Sequence, residues 1–485
     1  MVLNTDYLIV GAGASGLAFA DVLAAESDAE VILVDRQEAP GGHWLHAYPF
    51  VRLHTPSAYY GLNSLPLGEN RIDQVGENAG FYERATGGEV REHFALGAAQ
   101  LRQAGRVHLL TRHEHLGPGA DGELVRDLST GQLHDVEVRR KVVDARYLEA
   151  SIPATHALPF EMSASARVIP INDLPAAAES ASSYTVLGSG KTAVDACVWL
   201  LDHEVQPERI RWIRPRDAWF YDRSYFQPLD QVGKVVEGIS LDAEAGAQAA
   251  NVEGVFERLE ASGRLVRIDP SWPATMYRGT MLSARELDSV RRIEDVVRLG
   301  RVRRIEVDRI LLERGEIRTG PEVVHVDCTA LGLNSAPATA VFEPHRIVLQ
   351  QVRFLSPTFN AGLIGFIEAH RDGDVEKNRL CPPHAYPSSP HDWPRMMGRT
   401  WTAEALWMRE PDVSEWIANS RLNLMRGLPD HAAEPAVQAA VKRYVTNVRA
   451  AIERLSSWGD RLQPQAGTGN APASVAGPGQ RPRDS

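Results

Sequence analysis

The stretch DYLIVGAGASGLAFADVL, residues 6–23, decides the fold. An apolar run leads into three glycines, Gly11, Gly13 and Gly16, and an apolar segment of helical character follows. This order of strand, tight turn and helix is the context that the dinucleotide-binding fingerprint Gly-x-Gly-x-x-Gly requires. The first glycine allows the turn, the second lets the backbone approach a pyrophosphate, and the third lets the helix pack close to the strand. The free N–H groups of the helix N-terminus favour phosphate.

The next predicted strand, AEVILVDR (residues 29–36), ends at Asp35. A carboxylate about 20 residues past such glycines accepts a hydrogen bond from a ribose hydroxyl. This first unit therefore predicts a site for the ADP half of a dinucleotide, and beside a second, nicotinamide-binding unit FAD is the cofactor that we expect there. Its predicted cofactor-binding residues are Gly11, Gly13, Ser15, Gly16, Asp35 and Arg36.

A second glycine turn occurs in TVLGSGKTAVDA, residues 185–196. Gly-Lys-Thr also ends an ATP-binding phosphate loop, but that loop needs a glycine five residues before Gly190, where this chain has Thr185. A β-branched residue there fits a strand, so the ATP interpretation fails on spacing. The turn instead predicts a second dinucleotide site, with cofactor-binding residues Gly188, Ser189, Gly190, Lys191 and Thr192.

The second unit carries arginines where the first carries Asp35. In RIRWIRPRDAW, residues 209–219, Arg214 and Arg216 follow the predicted strand. Fixed positive charge at this point suits a 2′-phosphate and favours NADP(H) over NAD(H). The alternative is a solvated basic strand end. Lys191 adds charge near the pyrophosphate or is a surface lysine.

The composition excludes several other classes of protein. The chain has 485 residues and a formal net charge of −11 without runs of Lys or Arg, which argues against nucleic acid or an anionic membrane as a partner. No apolar stretch reaches transmembrane length, and the first strand begins too early for a signal peptide. Cys197, Cys328 and Cys381 lie far apart, which indicates a reducing cytoplasm and buried, unreactive thiols. We predict no metal site.

The order of elements predicts an α/β fold in which an NADP-binding Rossmann-like domain is inserted into an FAD-binding Rossmann-like domain. Predicted boundaries are 1–164 and 321–398 for the FAD domain, 165–320 for the NADP domain with an insertion at 219–300, 399–460 for C-terminal helices, and 461–485 for a disordered tail. Within these ranges we expect a helix at 247–263, irregular chain at 269–282, strand and turn at 353–374, and helices at 402–426 and 434–455.

One further segment resembles a known family. APGGHWLHAYPFVRLHTPSAYY, residues 39–60, is similar to the stretch of flavin-containing and Baeyer–Villiger monooxygenases in which Gly-Gly-x-Trp precedes Tyr-Pro-x-x-Arg and Ser-x-Tyr. The matching residues here are Gly41, Gly42, Trp44, Tyr48, Pro49, Arg52, Ser57 and Tyr59. The resemblance implies that Gly42 and Trp44 also bind the FAD. VDCTALGL, residues 326–333, looks like the strand by which such proteins return to the flavin domain. The chain lacks their Phe-x-Gly-x-x-x-His fingerprint: residues 141–187 contain no glycine and a single histidine, His156.

The resemblance implies an NADPH-dependent flavoprotein monooxygenase that forms a C4a-(hydro)peroxyflavin with O₂ and inserts one oxygen into a small organic substrate. Its candidate catalytic residues are His54, Arg52, Tyr59 and Asn63, with His54 able to change charge near neutral pH. A structural histidine and packing tyrosines are the alternatives. The missing fingerprint favours a second hypothesis, an NADPH-dependent flavoprotein reductase or dehydrogenase, and a non-enzymatic flavin redox sensor is the third. The aromatic residues of 219–300 either cover a substrate pocket or pack as core.

Overall fold

The computed structural model describes residues 2–178, 181 and 183–461. Its strands are β1 (Val2–Val10), β2 (Val31–Asp35), β3 (Val107–Thr111), β4 (His113–Pro118), β5 (Glu123–Asp127), β6 (Leu133–Asp144), β7 (Glu161–Met162), β8 (Val168–Pro170), β9 (Ser183–Leu187), β10 (Ile210–Ile213), β11 (Asp217–Asp222), β12 (Leu265–Arg267), β13 (Ala274–Leu282), β14 (Val296–Val297), β15 (Val302–Ile305), β16 (Arg309–Leu312), β17 (Gly315–Arg318), β18 (Val323–Asp327), β19 (Phe342–Glu343) and β20 (Arg346–Val348).

The α-helices are α1 (Ala14–Glu26), α2 (Gly87–Gln103), α3 (Leu174–Ala178), α4 (Lys191–Asp202), α5 (Val232–Gln248), α6 (Val252–Ala261), α7 (Ala284–Val290), α8 (Pro357–His370), α9 (Asp374–Leu380), α10 (Trp393–Trp407), α11 (Pro411–Asn419), α12 (Leu428–His431) and α13 (Pro435–Arg461). Short 3-10 helices lie at Gly42–His46, Ser57–Tyr59, Ile171–Asp173, Pro207–Arg209, Arg223–Phe226, Leu229–Gln231 and Pro390–Asp392. Among the described helices, none is both long enough and apolar enough to cross a bilayer.

The first sheet has the order β19-β20-β6-β1-β2-β3, and the β4–β5 hairpin attaches to β6. β1 pairs in parallel with both β2 and β6. Alternate residues of β1 enter two separate cores: Tyr7 and Ile9 pack on one face, Leu8 and Val10 on the other. A parallel sheet covered on both faces needs such a continuous apolar strand, which explains why residues 7–10 are apolar without alternation.

The glycine turn after β1 has the predicted close packing. A Cβ atom at Gly16 would lie 1.9 Å from the carbonyl oxygen of Gly11, so only glycine permits α1 to start this close to the strand. The turn therefore leads straight from the carboxyl end of β1 into α1. The structure confirms the predicted strand-turn-helix unit here.

The second sheet has the order β14-β10-β9-β18-β8, and the neighbouring strands pair in parallel. α4 follows β9 as α1 follows β1. The chain leaves the first sheet after β6, builds the second, and returns to the first at β19, which confirms the predicted insertion of one Rossmann-like unit into another. β18 belongs to the second sheet, so that sheet runs past the boundary expected at 320, and β14 lies inside the range expected as insertion.

Two smaller sheets flank the second unit. β12-β11-β13 forms a three-stranded sheet, and β17-β16-β15-β7 forms a four-stranded one. The three-stranded sheet shares a core with α5, α6, α10 and α13, and most aromatic residues of the insertion, including Tyr221, Phe226 and Tyr277, are buried in it. The irregular chain expected at 269–282 is wrong, since it contains β13. The helix expected at 247–263 is interrupted, because α5 ends at Gln248 and α6 begins at Val252.

The strand and turn expected at 353–374 are also wrong, because this segment forms α8. The helix is buried on nearly every side, so its apolar residues show no helical stripe in the sequence. Gly362 and Gly365 let it pack against α1, where a Cβ atom at Gly365 would lie 3.0 Å from the carbonyl oxygen of Phe19. The helix expected at 402–426 ends early, because Pro411 starts a new one. The tail prediction falls on residues outside the described range, apart from Arg461, which ends α13.

Candidate active site

Both glycine turns open onto one cleft of about 2090 Å³. Gly13, Ala14 and Ser15 at the start of α1 line it, and so do Gly190, Lys191 and Thr192 at the start of α4. Neither helix has a side-chain cap at its N-terminus. The first N–H groups of two helices therefore face the same space without partners, which is an arrangement suited to phosphate groups.

The first turn is closed by the segment that resembles the monooxygenases. The position of a Cβ atom at Gly42 would lie 2.9 Å from the Cα atom of Gly13, so the Gly41–Trp44 segment lies directly over the turn. Asp35 lines the cleft, and its carboxylate accepts hydrogen bonds from the backbone N–H groups of Ala12 (2.6 Å) and Gln37 (2.8 Å). This orientation fixes the carboxylate at the strand end, where it fits a ribose. Gly16 lies behind the turn.

Arg36 and Trp44 also line the cleft. Arg36 is ion-paired with Glu149, which holds its guanidinium at the cleft edge. The indole Nε1 of Trp44 donates to the hydroxyl of Tyr60 at 2.9 Å, and both rings lie at the wall of the cleft. The resemblance-based placement of Trp44 beside the first turn agrees with this geometry.

The second turn leaves room for a ligand. A Cβ atom at Gly190 would have no atom within 4 Å, so the turn presents open space to the cleft. The hydroxyl of Ser189 is buried and has no hydrogen-bond partner within the described residues. An orphaned hydroxyl beside an uncapped helix N-terminus fits a phosphate group that accepts from both.

The expected role of Lys191 is corrected by the structure. Its side chain is 3% exposed, and its ammonium forms ion pairs with Asp195 and, at 3.1 Å, with Glu286. Arg223 pairs with the same Glu286 at 2.6 Å. Burial alone would raise the pKa of Glu286, but the charges of Lys191, Arg223 and Arg84 hold that pKa well below its usual range. Lys191 is therefore part of a buried charge network, and its charge is already neutralised.

This network joins the two units. The hydroxyl of Tyr48, in the first unit, donates to Asp195 Oδ2 on α4 at 2.6 Å. Nε of Arg223, in the insertion, donates to the backbone oxygen of His54 at 3.3 Å. Tyr-Pro-x-x-Arg, the motif that contains Tyr48, thus supplies a contact between the units.

His54 lines the cleft above this network. Burial, together with the nearby Lys191 charge, lowers the pKa of its imidazole to about 4. The idea that His54 changes charge near neutral pH is therefore wrong: its side chain is neutral there. A neutral imidazole still donates and accepts hydrogen bonds.

Of the other three candidate catalytic residues, two line the cleft and one does not. Arg52 lines the cleft and donates to the backbone oxygen of Arg84 at 3.1 Å, and Tyr59 lines it and donates to the backbone oxygen of Phe226 at 3.3 Å. Asn63 does not line the cleft. Its Oδ1 accepts from the hydroxyl of Ser420 at 2.8 Å, so it fixes a helix end behind the site.

Of the two arginines expected at a 2′-phosphate, one is buried away from the cleft and the other lines it. Arg214 is buried, pairs with Asp217 Oδ1 at 3.1 Å and lies over the ring of Trp212, so its assignment to the coenzyme is wrong. Arg216 lines the cleft and has no ion pair among the described residues; its Nη2 lies 3.7 Å from the sulfur of Met276. Arg301 and Arg303 line the same cleft. Partial burial lowers the pKa of Arg216, and the neighbouring charge of Arg301 lowers it further.

The sequence did not predict the part of the cleft wall that is formed by Gln351 and the start of α8. Ser356, Pro357 and Thr358 at the uncapped start of α8 line the cleft. Gln351 also lines it; Asn360 donates to its Oε1 at 2.7 Å, which leaves the Gln351 amide nitrogen for a ligand. The sequence pattern of residues 353–374 predicts strand and turn, and such a pattern gives no sign of a helix N-terminus.

The two connections between the units are fixed to each other. His156 Nε2 lies 2.5 Å from Asp327 Oδ2, and Ser151 and Gly332 exchange two backbone hydrogen bonds of 2.9 Å. His156 lines the cleft and lies on the segment that connects the first unit to the second. The single histidine of residues 141–187 therefore has a partner on the return strand. The three cysteines are free and buried, as predicted.

Residues 9–59 match the model of the NAD(P)-binding Rossmann-like domain family, which confirms the first predicted unit. "Uncharacterized protein Rv2000" of Mycobacterium tuberculosis (strain ATCC 25618 / H37Rv) is 40% identical over 463 residues, covering 95% of this chain and 84% of the relative. "Uncharacterized protein Mb2023" of Mycobacterium bovis (strain ATCC BAA-935 / AF2122/97) matches to the same extent.

Among solved structures, the polycyclic ketone monooxygenase of Thermothelomyces thermophila superposes with a TM-score of 0.49 at 12% identity, covering 95% of this chain and 89% of that one. The flavin-containing monooxygenase of Stenotrophomonas maltophilia has a TM-score of 0.42 at 14% identity, covering 86% and 100%. Cyclohexanone monooxygenase from Rhodococcus sp. Phi1, bound to NADP⁺, has a TM-score of 0.45 at 12% identity, covering 93% and 99%.

Proposed function

The chain belongs to the same family as the mycobacterial proteins Rv2000 and Mb2023, and we propose that it is an FAD-dependent, NADPH-reduced monooxygenase that inserts one oxygen of O₂ into a small organic substrate. One observation carries this proposal: two uncapped helix N-termini, each at the end of a Rossmann-like strand, open on a single cleft. Two dinucleotides in one cleft suit the passage of a hydride from a nicotinamide to a flavin.

We assign FAD to the first turn and NADPH to the second. Asp35 at the end of β2 suits a ribose, and the Gly41–Trp44 segment covers the pyrophosphate position. At the second turn, open space at Gly190 and the orphaned Ser189 hydroxyl suit a diphosphate. Arg216, with Arg301 beside it, is the cation we assign to the 2′-phosphate.

When bound, the flavin supplies two-electron reduction and the reaction with O₂. The residues of this chain orient it and keep water away. The start of α8 and the amide nitrogen of Gln351 offer hydrogen-bond donors to carbonyl oxygens of a ring system in the cleft. Trp44 and Tyr60 form an apolar wall that is fixed by their mutual hydrogen bond. His54, which is neutral at pH 7, positions a reactant by hydrogen bonding and carries no proton to it at that pH.

One observation favours the second candidate, a reductase or dehydrogenase without oxygen insertion. The chain lacks the Phe-x-Gly-x-x-x-His fingerprint, and its histidine in that stretch, His156, is engaged with Asp327.

Rapid mixing separates these functions. The purified protein should be yellow, should release FAD on denaturation, and should be reduced by NADPH faster than by NADH. Amines, sulfides and ketones are then tested for NADPH oxidation, oxygen consumption and oxygenated product. Product formed in proportion to oxygen consumed supports the monooxygenase. Reduction of a quinone, imine or enone without oxygenated product supports the reductase, and a flavin that NADPH does not reduce excludes both in favour of a sensor.

A further inference from the structure

Arg278 is an arginine of the cleft wall without an ion-pair partner among the described residues. It lies on β13, and its Nη2 donates to the backbone oxygens of Leu331 (2.8 Å) and Leu333 (2.6 Å). Its guanidinium carbon lies 4.9 Å from the ring centre of Tyr386, whose hydroxyl donates to the backbone oxygen of Arg278 at 3.1 Å. The side chain is thus held on two sides, while Nε and Nη1 have no partner in the part of the chain that the structure describes.

The carboxylate whose charge acts on Arg278 is already engaged. Asp392 accepts hydrogen bonds from the N–H groups of Ser388 (2.8 Å) and Ser389 (2.9 Å), where it closes the turn before α10. Burial lowers the pKa of Arg278, and Asp392 and Tyr386 oppose that effect from a distance. A partly buried cation of this kind is stabilised when an anionic ligand pairs with it.

The position of Arg278 places it at the α8 end of the cleft. The next residue, Gly279, has no room for a side chain, because a Cβ atom there would lie 2.7 Å from Leu355 Cδ2. Leu355 has a φ of 53°, in the left-handed region that non-glycine residues rarely adopt, and directly precedes the residues that start α8. His384, two residues before Tyr386, donates its N–H to the backbone oxygen of Gln351 at 2.9 Å. Arg278 therefore lies beside the start of α8, next to the proposed position of the flavin ring.

Arg216, which follows β10, is a separate cation of the cleft. The charge of Arg278 contributes to lowering the pKa of Arg216. The two guanidinium groups are thus neighbours that repel each other. The 2′-phosphate assigned to Arg216 leaves Arg278 without an anion. Arg278 is therefore a second cation of the cleft, and no anion has been assigned to it.

We propose that Arg278 binds a carboxylate of the molecule to be oxidised, so that the substrates are small organic monocarboxylates. The three remaining N–H groups on Nε and Nη1 suit one carboxylate, and Met276, Met281 and Leu355 in the adjoining wall suit an apolar body. This inference rests on the proposed function for the identity of the reaction, and on Arg278 for the class of substrate.

The probes are three acids with an oxidisable group, each paired with its methyl ester: 4-(methylthio)butanoate, 6-(dimethylamino)hexanoate and 4-oxo-4-phenylbutanoate. Binding to the purified holoprotein is measured by calorimetry, and NADPH oxidation is measured with each probe. At least one acid should bind at least tenfold more tightly than its ester. Arg278→Met should remove that preference, weakening the acid at least tenfold and the ester by less than twofold. Arg278→Lys, which keeps the charge, should retain part of it.

Arg292→Met is the matched control, since Arg292 is an exposed arginine of the same insertion away from the cleft lining. It should leave both affinities unchanged. The inference is overturned if no acid binds better than its ester, if Arg278→Met weakens acid and ester equally, or if it raises the KM for NADPH tenfold, which would make Arg278 a coenzyme residue. NADPH reduction of the flavin without any probe tests the proposed function separately, and calorimetry tests Arg278 even where that reduction fails.

Discussion

Replacing Arg214 and Arg216 one at a time tests the coenzyme site most directly, because the two arginines are two residues apart and lie in opposite environments. Arg216→Gln removes an exposed cation assigned to the 2′-phosphate. A charge-assisted hydrogen bond contributes about 1.5–3 kcal/mol, and exposure to the cleft favours the lower end of that range. At about 1.4 kcal/mol per factor of ten, the Kd for NADPH should rise roughly tenfold. The Kd for NADH, which lacks the phosphate, should change less than about threefold, which is within the contribution of one neutral hydrogen bond.

Arg214→Gln should instead affect folding. It leaves the buried Asp217 without one partner, a change that costs about 3–5 kcal/mol for an isolated pair. Arg298 still pairs with Asp217 at 2.9 Å, so we expect a loss of about 3 kcal/mol in unfolding free energy, with NADPH affinity unchanged.

The assay is the rate of flavin reduction at varied NADPH and NADH, together with denaturant unfolding of each variant. An Arg214→Gln protein of normal stability and weakened NADPH binding would refute this reasoning. So would an Arg216→Gln protein in which both coenzymes weaken equally.

Three further outcomes follow from the structure. Gly190→Val fills the open space of the second turn and should abolish reduction of the flavin by NADPH while bound flavin remains, as judged by the visible spectrum; loss of flavin as well would contradict separate sites for the two cofactors. Gly13→Val should abolish flavin retention, and a folded variant with full FAD content would count against the first site. Burial lowers the pKa of His93, His325 and His384 from 6.5 to about 4, so the unfolded chain takes up these protons first as the pH falls. Unfolding free energy should therefore be full above about pH 6.5 and decline toward pH 4 in denaturant titrations; a flat profile would disprove it.

The glycine turns were predictable because the backbone itself requires them. No side chain fits at Gly16, and this local demand appears in the sequence as a fixed spacing. Asp35 was predictable for the same reason, since its position follows from the length of one strand-helix-strand unit.

The roles of residues that depend on contacts with distant parts of the sequence were not predictable. Arg214 and Arg216 look equivalent in sequence, but Arg214 is buried against Asp217, which also pairs with Arg298 far along the chain. Lys191 resembles a phosphate-binding lysine until Glu286 is brought beside it by the insertion.

α8 escaped prediction for a different physical reason. A helix that is buried all round has no polar face, and its glycines read as strand or turn signals. The wall that it builds, including the amide nitrogen of Gln351, was therefore missed with it.

The hydrogen bond between Tyr48 and Asp195 has a thermodynamic consequence. It ties the chain just after the Gly41–Trp44 segment, which lies over the first turn, to α4, the helix that follows the second turn. If filling either turn shortens or breaks that bond, the free energy involved enters the affinity of both ligands. Reciprocity then requires that FAD change the affinity for NADPH by the same factor as NADPH changes the affinity for FAD. Tyr48→Phe, which deletes the hydroxyl that makes this bond, should weaken the coupling between the two binding equilibria.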